Sequence, residues 1–481
     1  MKSPEDIDRA EQLSKLGYGA ADDLDSRCVK IMFTSGMLGS GLSEELVLQG
    51  VDRGVDAIVV DGGSTDSGPY YLGAAVPKTT ESAVANDLRI LLKAARRADL
   101  PLVIGSCGTN GTDRGVDWVG ELVTGIAREY GLVFRLARIY SEQSVPVMIE
   151  ALHAGRMVDL APSMPISEET LASCQHIVGV MGHEPMAAAL AAGADVVLAG
   201  RATDTAMVAA IALPLGFPAG PTWHAAKIVE CGPQCTTNPL SGPVIAEIDH
   251  LGFTIESVDL NTTCTPTSVA AHMLYENANP YRMREPSGYL DTSAASYVAI
   301  DERRVRVEGS VFETADPVTI KLEGSAISGY ESVSIVAIRE PTVVTAVDKW
   351  SESVAAVLHD QVDRYLKLGR SSYMIDLFCY GSNGVLGDLE NDLQPPREIA
   401  VVFKVRAETQ EMANAIAKLA NPLLLHIPLT GMDHLPSFAF PFSPAELERG
   451  PAYEFVLNHS VVVSSEHELF RREITEVNHA R

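Results

Sequence analysis

At 481 residues the chain exceeds what one hydrophobic core comfortably holds, so two or three domains are expected. Lys and Arg total 37 against 63 Asp and Glu, a net charge of −26, which argues against nucleic acid and anionic membrane as partners, since both need clustered cations. No apolar run approaches the ~20 residues of a membrane span, and the polar start MKSPEDIDRAEQLSKLGYGAADDLD lacks the apolar core of a signal peptide. Seven scattered cysteines fit a reduced, cytoplasmic setting better than a disulfide framework.

After an N-terminal extension, 1–29, short apolar runs alternate with amphipathic stretches from about residue 30 to 215, within an expected domain of residues 30–245. KIMFT (30–34), AIVV (57–60), LVIG (102–105), LVFRLARIY (132–140), HIVGV (176–180) and VVLA (196–199) read as strands. Helices are expected near 43–53, 82–98, 116–130, 145–154, 185–192 and 204–215. Repeated strand–helix units predict an α/β domain, a mostly parallel sheet with helices on both faces. WHAAKIVECG (223–232) is a further helical stretch. Residues 246–330 form a β-rich middle section, with VRVEG and VTIKLEG as strands and a helix at 268–278. From 331 to 481 the order is strand SVSIVAI, helix 349–368, strands YMIDLFCY and EIAVVFKV, helix 409–420 and strand YEFVLNHSVVV. That β-α-β-β-α-β order predicts a C-terminal ferredoxin-like α+β domain.

The most informative local feature is a loop that occurs twice. GVDAIVVDGGSTD (54–66) and GADVVLAGRATD (193–204) each run from a Gly through a β-branched strand into a Gly and a Thr-Asp pair. Ligands of parallel sheets gather at the carboxyl ends of strands, where these loops lie. DGGSTDSGPYYLG (61–73) supplies Asp61, Ser64, Thr65, Asp66 and Tyr70, with glycines that let backbone N–H groups converge on an anion. The ordinary reading is a long surface turn. GSCGTNG (105–111) adds Ser106 and Thr109 but is neither a Walker A loop nor a G-x-G-x-x-G fingerprint, so no nicotinamide or flavin cofactor is expected. In GRATDTA (200–206), Arg201 suits a bidentate grip on a carboxylate. Thr203 or Asp204 merely capping a helix is the equal alternative. Glu184 follows the HIVGVMG strand, and Lys227 lies three residues before Glu230, the spacing of a helical surface pair. Cys231 and Cys235 lack a second Cys/His pair at finger-like spacing.

The candidate catalytic residues are therefore Asp61, Arg201, Asp204, Glu184 and Lys227. The candidate substrate-binding residues are Ser35, Ser64, Thr65, Asp66, Tyr70, Ser106, Thr109 and Thr203. Asp61 or Asp204 would move a proton beside a carbonyl, with Glu184 or Lys227 as the opposing acid. Asp61, Asp66 or Asp204 would suit Mg²⁺ as hard oxygen ligands, although the sequence names no metal.

Four segments, GRATDTAMVAAIALPLGFP, WHAAKIVECG, CTPTSVAAHMLYENANPYRMREPSGYLD and PFSPAELERGPAYEF, carry a resemblance to the AtuA family, named for acyclic terpene utilisation. The resemblance runs from about 30 to 460. It implies catabolism of branched carboxylic acids or their CoA esters, and a separate companion protein of about a hundred residues. The expected function is a hydro-lyase or isomerase acting on a small carboxylate or acyl-CoA, in a homo-oligomer. The alternatives are a non-catalytic partner subunit of a catabolic complex, and a hydrolase using Cys107 or Ser106.

Overall fold

The computed structural model describes residues 27–162, 165–275, 277–391, 394 and 396–480; most of the expected N-terminal extension, residues 1–26, lies outside them. The chain forms two compact units, one running to Ala326 and resuming at Phe455, the other Ile327–Glu454.

A ten-stranded sheet organises the first unit. Its centre is five parallel strands in the spatial order β1 (Val29–Phe33), β2 (Ala57–Asp61), β3 (Leu102–Gly105), β7 (Val196–Ala199) and β4 (Val133–Tyr140). Successive residues of these strands point to opposite faces. Ile31, Phe33, Ala57 and Val59 enter one core; Met32, Ile58 and Val60 enter the other. Helices Glu81–Ala98 and Asp113–Tyr130 cover the second face, and helices Glu184–Ala191, Ala206–Ala212 and Ala219–Val229 cover the first. Burial on both faces is why these strands read as near-continuous apolar runs.

The sheet is mixed, which corrects the expectation of a mostly parallel one. β8 (Val244–Ile248), β9 (Gly252–Ser257), β13 (Arg304–Glu308) and β12 (Ser296–Ala299) extend it antiparallel beyond β1, and β19 (Arg471–Asn478) pairs antiparallel with β4. β8 and β9 are joined only by residues 249–251, where Asp249 Oδ1 accepts from the Leu251 and Gly252 N–H groups. A link that short cannot make the crossover that parallel neighbours need. Much of the β-rich middle section thus belongs to the main sheet. A separate three-stranded sheet comprises β10 (Arg282–Glu285), β11 (Gly288–Asp291) and β14 (Val311–Thr314).

β6 (Cys174–Gly179), expected among the parallel strands, instead pairs antiparallel with the start of β15 (Thr319–Ile338). The predicted strands VTIKLEG and SVSIVAI are both parts of β15, which runs unbroken through GSAISGYE. β5 (Met157–Asp159) pairs with the far end of β18 (Glu446–Val462).

In the second unit the sheet order is β16 (Tyr373–Tyr380), β17 (Ile399–Ala407), β15, β18. Helices Val347–Gln361 and Gln410–His426 pack on it through Trp350, Val354, Leu358, Ile416, Ala420 and Leu424. No helix among the described residues is long and apolar enough to cross a membrane.

Candidate active site

The two copies of the repeated loop leave β2 and β7, strands separated in the sheet by β3, and Arg201 joins all three strand ends. Its Nε donates to Glu323 Oε2 at 3.0 Å. Nη1 donates to Gly63 O at 3.2 Å and to Ser106 Oγ at 3.1 Å, and Nη2 to Thr65 Oγ1 at 3.4 Å. The residue is 5% exposed. The expected substrate-gripping fork is therefore spent on the protein itself: Arg201 is a brace between loops, with buried Glu323 as its counter-ion.

Close approach of backbones explains the glycines here. A Cβ on Gly62 would lie 2.2 Å from Ser106 O, and one on Gly111 would lie 2.6 Å from Arg201 Cα. Ser106 (φ 43°) and Thr109 (φ 69°) both occupy the left-handed region, which strains non-glycine residues, most of all a β-branched one. Their hydroxyls serve the loops, Ser106 donating to Ala202 O and Thr109 to Gly62 O. Both side chains are buried, so they support the site without lining it. Cys107 is fully buried, and burial, with the Asp61 charge, pushes its thiol well above the usual range; this is no nucleophile's setting.

Asp61, at the end of β2, is 1% exposed. Oδ2 accepts from the Gly63 N–H at 3.1 Å, while Oδ1 has no hydrogen-bond partner. Burial and then the Asp204 carboxylate push its pKa up to about 8, against the opposing pull of Arg201. Such a group holds a proton at neutral pH.

In front of this frame lies a cavity of about 640 Å³, walled by the segment after β1, the loop after β2, the start of the β7 loop's helix and the turn at 230–241. Of the predicted residues, Ser35, Ser64, Asp66 and Asp204 line it. Ser64 caps a short turn and donates to Asp66 Oδ2 at 2.5 Å. Ser35 Oγ lies 2.8 Å from Ser40 Oγ. Asp87, buried on helix Glu81–Ala98, fixes the β1 segment by accepting from the N–H groups of Gly39 (2.9 Å), Gly41 (3.2 Å) and Leu42 (2.9 Å). Burial raises the Asp204 pKa, with Arg201 and Lys227 opposing.

Glu230 and Cys231 line the same cavity as Asp204. Lys227 Nζ is 2.7 Å from Glu230 Oε1. Burial opposes the lysine's charge, but Glu230, Glu285 and Asp204 outweigh it and raise its pKa. The expected surface pair is thus a mostly buried ion pair beside the cavity. Glu285 accepts from Thr205 Oγ1 at 2.7 Å, and burial raises its pKa too.

Glu184 and Thr203 lie elsewhere, on a second cavity of about 360 Å³ with Arg284, Glu285, Ser287 and Lys321. Glu184 Oε1 accepts from Ser287 Oγ at 3.1 Å. Tyr70 lines neither cavity. The main cavity is also acidic: Asp66, Asp204, Glu230 and Asp259 line it, and Lys78 is the one cation among its described lining residues. Acidic side chains thus line the cavity, and burial shifts Asp204 and Glu230 towards their protonated forms.

Sequence reasoning missed Glu285, Glu323, Asp87 and His272 as site residues. Glu285 and His272 stand inside CTPTSVAAHMLYENANPYRMREPSGYLD, a segment that carried the family resemblance. Asp87 falls at helical spacing with Val84, Ile90 and Leu91 on the apolar face of its helix, a mismatch that signals a buried charge with partners, whereas Glu323 carries no such local signal.

Among the described residues, the group of His, Cys, Asp and Glu side chains whose ligand atoms all lie within 4.8 Å of one another is Glu230, Cys231 and His272; Asp61, Asp66 and Asp204 do not form one. No curated protein and no solved structure matches the chain. A family model described as acyclic terpene utilisation family protein AtuA matches residues 34–442. With most of its length covered by that match, the chain belongs to the AtuA family.

Proposed function

We propose that the chain is a catabolic enzyme, a hydro-lyase or isomerase that moves a proton on a small branched acyl compound in the cavity bounded by Ser35, Ser64, Asp66, Asp204 and Glu230. Membership of the AtuA family implies involvement in acyclic terpene catabolism. The observation that carries the reaction class is Asp204, partly exposed on the cavity wall with a raised pKa, backed by Asp61, which keeps its proton at neutral pH. A carboxyl poised in this way can give a proton to a leaving hydroxyl or take one beside a carbonyl. Two carboxyls in unlike surroundings are what acid–base assignments require.

The acidic walls favour one form of the substrate. Burial shifts Asp204 and Glu230 towards their protonated forms, and a free carboxylate would find Lys78 as the one cation among the described lining residues, whereas a thioester presents a neutral acyl group that needs no cation. We therefore favour a CoA ester over the free acid, its anionic tail directed outward past Lys78. The cavity volume is that of a small-molecule site.

The ferredoxin-like reading of the second unit rests on its β-α-β-β-α-β order and on the sheet order β16-β17-β15-β18. We propose that the small companion chain docks on β16, whose residues Met374, Phe378 and Tyr380 are exposed at the sheet edge.

A screen of branched acyl-CoA esters on the purified protein, with and without its companion, tests the reaction. Product analysis should show water gained or lost, or a shifted double bond. Asp204→Asn should lower turnover ~10²–10⁴-fold while the protein remains folded. Undiminished turnover in Asp204→Asn would remove this cavity from the chemistry.

A further inference from the structure

We propose that Glu230, Cys231 and His272 form a three-ligand site for a borderline divalent cation of the zinc class, with its remaining position turned to the main cavity. The inference deepens the reading of that cavity as the active site, and it stands on three observations.

The first is the donor set. One carboxylate oxygen, one thiol sulfur and one imidazole nitrogen lie within 4.8 Å of one another. A mixed O/S/N set suits Zn²⁺ and does not suit Mg²⁺, which takes hard oxygen ligands. A tetrahedral zinc centre with bonds of about 2.0–2.3 Å needs its ligand atoms roughly 3.3–3.8 Å apart, so the three side chains need close by no more than about 1.5 Å.

The second is an unspent donor. His272 is 5% exposed, and its Nε2 has no hydrogen-bond partner. A buried imidazole nitrogen left without a partner costs free energy unless something else takes its lone pair or proton. The helix that carries it, Pro266–His272, is fixed at its start by a capping box between Thr265 and Ser268 and packs against the turn Gly232–Cys235 that follows Cys231.

The third is the support around the other two ligands. Glu230 Oε1 is held by Lys227 Nζ at 2.7 Å, which leaves Oε2 for a cation and orients the carboxylate as outer partners of metal ligands do. The β1 segment presses on the same backbone: a Cβ on Gly36 would lie 3.0 Å from Cys231 Cα and 3.1 Å from Glu230 O. Glu230 and Cys231 both line the cavity, so a ligand on the open position of the cation would be in the same space as Asp204. Three protein ligands and one open position are the arrangement of catalytic rather than structural zinc sites. Such a cation would polarise an acyl carbonyl or a leaving hydroxyl, and would offset the carboxylate excess of the cavity. Binding converts the Cys231 thiol to a thiolate and releases its proton to solvent.

The test uses the whole chain, purified without a metal-affinity step, stripped with chelator and titrated with Co²⁺, with zinc content measured on the unstripped protein. The proposal expects about one metal per chain, a near-ultraviolet thiolate-to-cobalt band, and the visible bands of tetrahedral cobalt. Cys231→Ser should abolish the thiolate band. His272→Gln should weaken binding at least ~10-fold. Cys264→Ser, at a neighbouring thiol outside the ligand set, should leave the band in place. Absence of the thiolate band in the wild-type protein overturns the proposal, whether or not the variants fold. So does a band that persists in Cys231→Ser or disappears only in Cys264→Ser. Cobalt bound as expected by a protein that turns over none of the acyl-CoA esters would leave the metal site standing and refute the proposed reaction alone.

Discussion

Replacing Asp61 by Asn probes the buried carboxyl behind the cavity, and the sign of its effect depends on pH. Asp61 faces Asp204 and Arg201, the Gly63 N–H, and the Ser106 and Cys107 side chains. Unfolded, it titrates near 3.8; folded, burial and the Asp204 charge move it to about 8. Between those values the folded protein holds a proton that the unfolded chain has released, so the contribution of Asp61 to stability falls as pH rises through that window. At about 1.4 kcal/mol per pH unit, the whole difference is worth about 6 kcal/mol, all of it a cost above pH 8. Asn resembles the protonated carboxyl and is neutral throughout. The unfolding free energy of Asp61→Asn minus that of wild type should therefore climb steadily between pH 4 and 8 and be level beyond. Chemical denaturation of both proteins across this range, with hydrogen exchange of the β2 amides as a local readout, measures the difference; carboxylates remote from Asp61 cancel, and the double variant with Asp204→Asn against Asp204→Asn alone removes the coupled Asp204 contribution. A difference that stays flat, or falls with rising pH, would refute the argument that Asp61 is held protonated by burial.

Arg201→Ala leaves buried Glu323 with Lys321 alone, 3.4 Å away, and should cost about 3 kcal/mol, much of it recovered in Arg201→Ala/Glu323→Gln; thermal melts of the three proteins decide this. Asp87→Ala removes the acceptor shared by three backbone N–H groups, so exchange at Gly39, Gly41 and Leu42 should accelerate at least ~10-fold, with a stability loss of about 3 kcal/mol. Gly62→Ala forces a methyl against the Ser106 carbonyl and should lower stability by about 3 kcal/mol or prevent folding, which a soluble-expression assay and a melt report.

The central strands were legible because burial on both faces leaves an uninterrupted apolar run, and β2, β3 and β7 stand close to where that pattern put them. Their order was not legible. Periodicity describes each segment alone, whereas pairing is decided by partners far along the chain, such as β19, which returns from the C-terminus to β4. β6 shows the same limit: its apolar residues fit a parallel strand equally well, but its partner is β15. For the site, the repeated loop correctly marked the strand ends, since Gly, Thr and Asp crowd only where backbone turns sharply beside polar partners. The role of Arg201 could not be read from that loop because its counter-ion, Glu323, lies 122 residues away. The Lys227–Glu230 spacing predicted the ion pair but not its burial. Burial is set by the tertiary packing of helix Ala219–Val229 into the core, which spacing alone does not show.

The most direct test of the account is a structure of the protein with the product found in the acyl-CoA screen. The acyl group should lie in the larger cavity, within hydrogen-bond reach of Asp204 and beside Glu230 and Cys231. An acyl group seated instead among Glu184, Arg284, Ser287 and Lys321 in the smaller cavity would contradict it.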